Sequence, residues 1–250
     1  MGGIERPLPK LFRVPACGFA SYHFSSRSRP RAFLANASAL QGKRYLRVTS
    51  RVAAVTGVGS LAFRIMNGTR RRHAMSRRNL RVERTTDFGA AADEVWESAT
   101  AKYSCISIRD RETLNYLYPV RDPRYHRLVV YEERELRGWA LVTDSRMQDH
   151  NHFGDMRVGA MANCLACPGS EDTVICAASH YLRGRGVDLI VSNQLSPGWR
   201  SSLVREGCLN YRSNVVFAAS PELTRKIKQH DSAFERVHIN RGDGDGAYNL

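Results

Sequence analysis

The stretch Ser170-Glu171-Asp172-Thr173-Val174-Ile175-Cys176-Ala177-Ala178-Ser179-His180-Tyr181-Leu182-Arg183-Gly184-Arg185-Gly186-Val187-Asp188-Leu189-Ile190-Val191 decides the fold. Ser170 is a good helix N-cap, and the carboxylates of Glu171 and Asp172 suit the positive end of a helix dipole. Val174, Ile175, Ala178, Tyr181 and Leu182 follow at i, i+1, i+4, i+7 and i+8, which makes one apolar stripe. Gly184 and Gly186 can end the helix in a left-handed conformation. Val187–Val191 then reads as a short buried strand. A strand within Asp155–Leu165 precedes the helix, so the helix is a crossover and the two strands are parallel.

Upstream, a short strand is expected around Leu80–Arg84, then a helix from about Ala92 to Tyr103 carrying Val95, Trp96 and Ala99. A second helix is expected over Arg111–Tyr118, ended by Pro119 and Pro123. Arg127–Glu132 and Arg137–Val142 read as a β-hairpin, turned by the polar Glu132-Glu133-Arg134-Glu135. Downstream, Pro197–Glu206 reads as a helix, and Leu209–Ala218 and Phe234–Asn240 as strands. The hairpin is antiparallel and the crossover parallel, so the expected class is α/β (α+β): a mixed central sheet with helices on both faces.

The chain has 250 residues, 42% of them hydrophobic, enough for a substantial core and too many for a disordered chain. Its net charge of +14 is unevenly placed. Residues 1–82 hold 17 Lys/Arg and one acid, a balance of +16, whereas the remainder stands at −2. Two units are therefore expected, a basic Arg/Ser-rich segment over 1–82 and the α/β domain over 83–250. The basic segment admits three readings: a transit peptide, a tail for nucleic acid or an anionic membrane surface, or, most plainly, a linker or remnant of an upstream unit. The longest apolar run, Val52–Phe63, has 12 residues, short of a membrane span. Residues 1–30 lack a secretory apolar core, so the six cysteines are expected as reduced thiols and the location as cytoplasmic.

The order of elements and two strings resemble the Gcn5-related N-acetyltransferase (GNAT) superfamily, and within it the C-terminal half of tandem acetyltransferase-like proteins of bacterial surface-polysaccharide type. The first string is Arg109-Asp110-Arg111-Glu112-Thr113-Leu114-Asn115-Tyr116-Leu117-Tyr118, where Tyr116 and Leu117 stand in place of the subfamily's Trp-Arg pair. The second is Val237-His238-Ile239-Asn240-Arg241-Gly242-Asp243-Gly244-Asp245-Gly246, similar to the subfamily's closing strand and Gly-Asp-rich end. The resemblance covers about residues 83–250. It implies acetyl-CoA or another acyl-CoA as cofactor, an amine as acceptor, and transfer by direct attack on the thioester, accelerated by proximity and a base.

Carried over residue by residue, the resemblance puts the cofactor against Asn163, Cys164, Gly169, Ser170 and Asn193. It makes Arg109 and Asp110 candidates for a substrate anion, although a helix-capping Asp with a local ion pair is the plainer reading. The chain also departs from the family. Asn163–Ser170 has one Gly and no cation, and Pro168 removes an amide donor. Glu171 and Asp172 would oppose a pyrophosphate. Leu203 stands where the family tends to place a proton-donating Tyr. These departures favour the alternative of a catalytically silent GNAT-fold binding module. Glu132, Glu133 and Asp144 are all possible bases and nothing in the sequence chooses among them.

Other clusters carry less. His150-x-His152 with Cys164-x-x-Cys167 has the donors of a zinc site or a redox dithiol, but incidental thiols are the plainer reading and no metal is favoured. Asp243 and Asp245 begin like a calcium loop with no distal Glu, which leaves a flexible acidic end. Trp96, Trp139 and Trp199 are expected in the core.

Overall fold

The computed structural model describes residues 12–13, 19–24, 79–150, 153–212 and 218–243. The sheet begins as a meander of β3 (Leu80–Thr85), β5 (Tyr125–Glu132), β6 (Glu135–Arg146) and β7 (Arg157–Ala166), each antiparallel to the next, with β5, β6 and β7 buried almost throughout because both faces are covered. The crossover helix α3 (Glu171–Gly184) returns the chain to β8 (Leu189–Asn193), which lies parallel to β7 as expected. Beyond β8 the sheet takes in β2 (Phe19–Phe24) and β9 (Leu209–Arg212), both antiparallel to their neighbours. The order is β3-β5-β6-β7-β8-β2-β9, a mixed sheet.

Strand alternation sends side chains to two cores. Leu128, Val130, Ala140, Val142 and Met161 pack with Val174, Ala178 and Leu182 of α3 and with Trp199 and Leu203 of α4 (Pro197–Arg205). Tyr125, Trp139, Leu141 and Leu165 face Val95 and Ala99 of α1 (Ala90–Thr100) and Leu114 of α2 (Arg111–Leu117). Helices therefore cover both faces. Trp139 and Trp199 are fully buried and Trp96 packs at the edge of the second core. Among the described residues, no helix is long and apolar enough to cross a membrane.

Two expectations need correction. A helix, α5 (Pro221–His230), lies where none was expected; Ser220 caps it by accepting Leu223 N at 3.1 Å. Of Leu209–Ala218, Leu209–Arg212 is β9 and Ala218 begins β10 (Ala218–Ala219), which pairs with β1 (Phe12–Arg13); residues 213–217 lie outside the described residues. Of Phe234–Asn240 only β11 (Val237–His238) is a strand, and it pairs not with the main sheet but in parallel with β4 (Cys105–Ile106).

The expected hairpin turn is present but strained. Glu132 pairs with Glu135, so Glu133 and Arg134 form a two-residue loop at φ 51° and 76°. Such loops favour Asn-Gly, because a side chain at positive φ crowds its own carbonyl. Replacing Glu133-Arg134 with Asn-Gly is expected to raise stability by about 1 kcal/mol. Urea unfolding checks it: the midpoint moves up at unchanged slope, and a lower midpoint counts against the strain.

Candidate functional site

β7 and β8 pair only from Val158↔Leu189 to Met161↔Ser192. From Ala162 to Ala166, β7 runs on beside β6 alone, so the two parallel strands part into a wedge. The wedge is closed by the chain's own C-terminal strap, Val237–Asp243. Leu195 N donates to Ile239 O at 2.9 Å and Gln194 bridges Asn240, which adds the strap to the end of β8. On the β7 side the contacts are through side chains: His238 Nε2 lies 3.0 Å from Cys164 O, and Asn240 Nδ2 donates to Asn163 Oδ1 at 2.9 Å.

Arg109 is the centre of this closure, with its side chain 1% exposed. Its Nε donates to Asn163 Oδ1 at 3.0 Å and its Nη2 to Asp243 Oδ2 at 2.5 Å. Asp243 Oδ2 also accepts Asn240 N at 2.8 Å within a 3-10 turn over Arg241–Asp243. Tyr118 Oη donates to Gly242 O at 3.0 Å and accepts Asn163 Nδ2 at 3.1 Å. A Cβ at Gly242 would stand 2.4 Å from that hydroxyl, so the strap needs glycine there. Arg241 Nη1 reaches Asn193 Oδ1 at 3.3 Å.

The sequence-derived candidates thus divide. Arg109, Asn163, Cys164 and Asn193 converge on the closed wedge. Asp110 does not join them: it caps α2 by accepting Thr113 N at 2.8 Å, and that bond holds its carboxyl below the usual range. Asp243, expected as a flexible acidic end, is instead the buried partner of Arg109, 134 residues away in sequence. Gln194 carried no sequence signal, and Tyr118, His238 and Asn240 stood only as members of the two quoted strings with no role of their own, because their meaning comes from a contact between distant segments.

Gly169 and Ser170 lie apart, at the start of α3. Gly169 takes φ +81° in a turn in which Ser170 N donates to Cys167 O at 2.9 Å. Ser170 occupies the N-cap position, but its hydroxyl makes no capping bond, a correction to its expected role. The two first-turn carboxylates serve the helix end instead. Glu171 is buried against Lys102, and Asp172 is held by Arg205 at 2.7 Å.

No activated nucleophile or tuned acid appears among these groups. Burial pushes the Cys164 thiol up to about 12, so it stays protonated. Burial also raises the Tyr103 hydroxyl to about 12, partly offset by the bond from Trp199 Nε1 at 3.1 Å. Leu203 is buried in the first core. Of the possible bases, Glu132 pairs with Arg137 and Glu133 sits in the strained turn. Burial raises the Asp144 carboxyl, but the hydrogen bond from Arg185 (2.8 Å) and the nearby Arg157 (2.9 Å) outweigh it and leave the group below its ordinary value. Cys167 Sγ points to Leu136 O at 3.5 Å. Among the described residues no group of three or more His, Cys, Asp or Glu could hold a metal ion; His152 lies outside them.

No protein-family model matches the chain, and no curated protein or solved structure matches it either.

Proposed function

We propose that this chain is a catalytically silent, GNAT-type binding module. The observation that carries the reading is the closed wedge. Where β7 and β8 part after Met161 and Ser192, the sheet offers a gap that an acyl chain bound by such a fold could enter. Here that space is taken by the strap, fixed by the buried Arg109–Asp243 pair and by Asn240 on Asn163. The end of α3 where a cofactor pyrophosphate would sit already holds two carboxylates, each clamped by a cation. Free thiols at Cys105, Cys164, Cys167 and Cys208 support a reducing compartment and hence the cytoplasm.

A second reading, an acyl-CoA-dependent N-acyltransferase acting on an amine, is favoured by one feature: β7 and β8 do part after Met161 and Ser192. Thermal unfolding of the full chain with millimolar acetyl-CoA, CoA or ATP separates the two. A ligand at about 100 times its dissociation constant adds about 2.7 kcal/mol, a rise of several degrees. The binding-module reading expects no rise with any of the three. A rise with both CoA species and none with ATP would overturn it in favour of the transferase.

A further inference from the structure

The strap that closes the wedge carries a histidine in a site that can hold it only uncharged. The main-chain ties of the strap are short. Val237 and His238 pair with Cys105 and Ile106 of β4, and Leu195 N donates to Ile239 O at 2.9 Å. The rest of its grip is through side chains, His238 among them, and that ring is fully buried. Cys164 O, 3.0 Å from Nε2, can only accept, so Nε2 carries the proton of the neutral imidazole. Nδ1 is buried and has no hydrogen-bond partner among the described residues. A second proton at Nδ1 therefore meets no acceptor.

The charge it brings meets no free carboxylate either. Arg109 and Lys102 both act on the ring with the same sign. Asp243 is spent on Arg109, and Glu171, at the start of α3, on Lys102. Asp231, ahead of the strap, accepts Ser104 Oγ and the amides of Glu235 and Arg236. The Arg236 guanidinium turns to the carbonyls of Ala101 and Lys102. Burial holds the Tyr103 hydroxyl and the Cys164 thiol up at about 12 and raises the Cys105 thiol, so all three stay neutral. The Trp199 ring of α4 carries no charge.

From this geometry we infer that mild acid releases the strap and opens the wedge, because an imidazolium at position 238 is stable in water and not among these rings and cations. The open form takes up a proton near pH 6.5 and the closed form does not, so the strap stays shut at neutral pH and opening is favoured as the pH falls. Release bares Leu195 N and the edge of β7 beyond Met161, main-chain groups that can take an extended segment. This names the regulation of the binding module proposed above and rests on that reading for what the open wedge does.

Amide exchange of the full chain at about pH 7.5 and about pH 5.5, each rate divided by the intrinsic rate at that pH, tests the release. Leu195 is the reporter, since its amide donates to the strap, and the amides of β6, in the middle of the sheet, are the reference. Protection of Leu195 is expected to fall about tenfold between the two conditions while β6 is unchanged. His126 lies on β5, so a loss caused by its titration shows in the sheet instead. His238→Phe keeps a ring and should make the protection of Leu195 independent of pH. If circular dichroism shows that this variant does not fold, His238→Gln, which can still donate to Cys164 O, takes its place. Equal protection of Leu195 at both pH values overturns the inference. So does a loss shared equally by Leu195 and β6, which is global unfolding, or a pH dependence that persists without His238. A rise in melting temperature with CoA would remove the silent reading and leave the exchange result standing.

Discussion

Arg109→Ala is expected to destabilise the protein by about 3–5 kcal/mol, the penalty for leaving a buried charge without its counterion. The Arg109 and Asp243 side chains are 1% and 5% exposed, so water cannot replace the missing guanidinium. The same substitution strips Asn163 Oδ1 of one donor. Arg109→Lys should recover little, because a single ammonium cannot reproduce the geometry by which Nε and Nη2 reach two partners. Combining Arg109→Met with Asp243→Asn removes both charges and should restore part of the loss, since a buried pair is worth less than either member alone is harmful. Urea unfolding gives the energies, and amide exchange over 237–243 reports whether the strap opens first. If Arg109→Ala costs less than about 1 kcal/mol, the strap does not close the wedge by charge pairing.

Stability should fall as the solution is made mildly acidic. His238 is fully buried and stacks against both Tyr103 and Trp199, with ring centroids 4.8 and 5.3 Å away. Burial, and then the nearby Arg109 and Lys102 cations, push its pKa well below the ordinary histidine value, against the bond to Cys164 O. The folded state therefore keeps the ring neutral while the unfolded chain takes up a proton below about pH 6.5. Stability is complete above that pH and is lost progressively below it. Between pH 7.5 and 5.5 a histidine of this kind removes about 1.4 kcal/mol. His126, lowered chiefly by burial and partly restored by Asp144, adds to the loss in the same direction. Unfolding free energies of the wild type and His238→Phe at several pH values between 5.5 and 7.5 decide the matter. The variant should show the shallower dependence; equal slopes would mean that His238 titrates normally.

Much of the frame was legible in the sequence because its signals are local. The stripe from Val174 to Leu182 marked α3. Alternation around Leu128 and Val130 and the acidic stretch at 132–135 gave the hairpin. The parallel relation of β7 and β8 followed from the crossover alone. The helix α5 was also legible and was missed: Ser220-Pro221 is a start signal and Leu223 and Ile227 stand four apart, but two apolar residues among many charges make a faint stripe.

By itself, then, the sequence determined the class, a mixed sheet with helices on both faces, and the positions of Arg109, Asn163 and the Val237–Asp243 string. Hydrophobic periodicity and capping act over a few residues and can be read there. Only the tertiary structure decided that Arg109 pairs with Asp243, that Asn240 meets Asn163, and that the strap fills the wedge between β7 and β8. Each of these joins segments far apart in the chain, where no spacing rule operates. The buried charge of Arg109 acquires its partner only when the whole sheet has brought the two strings together.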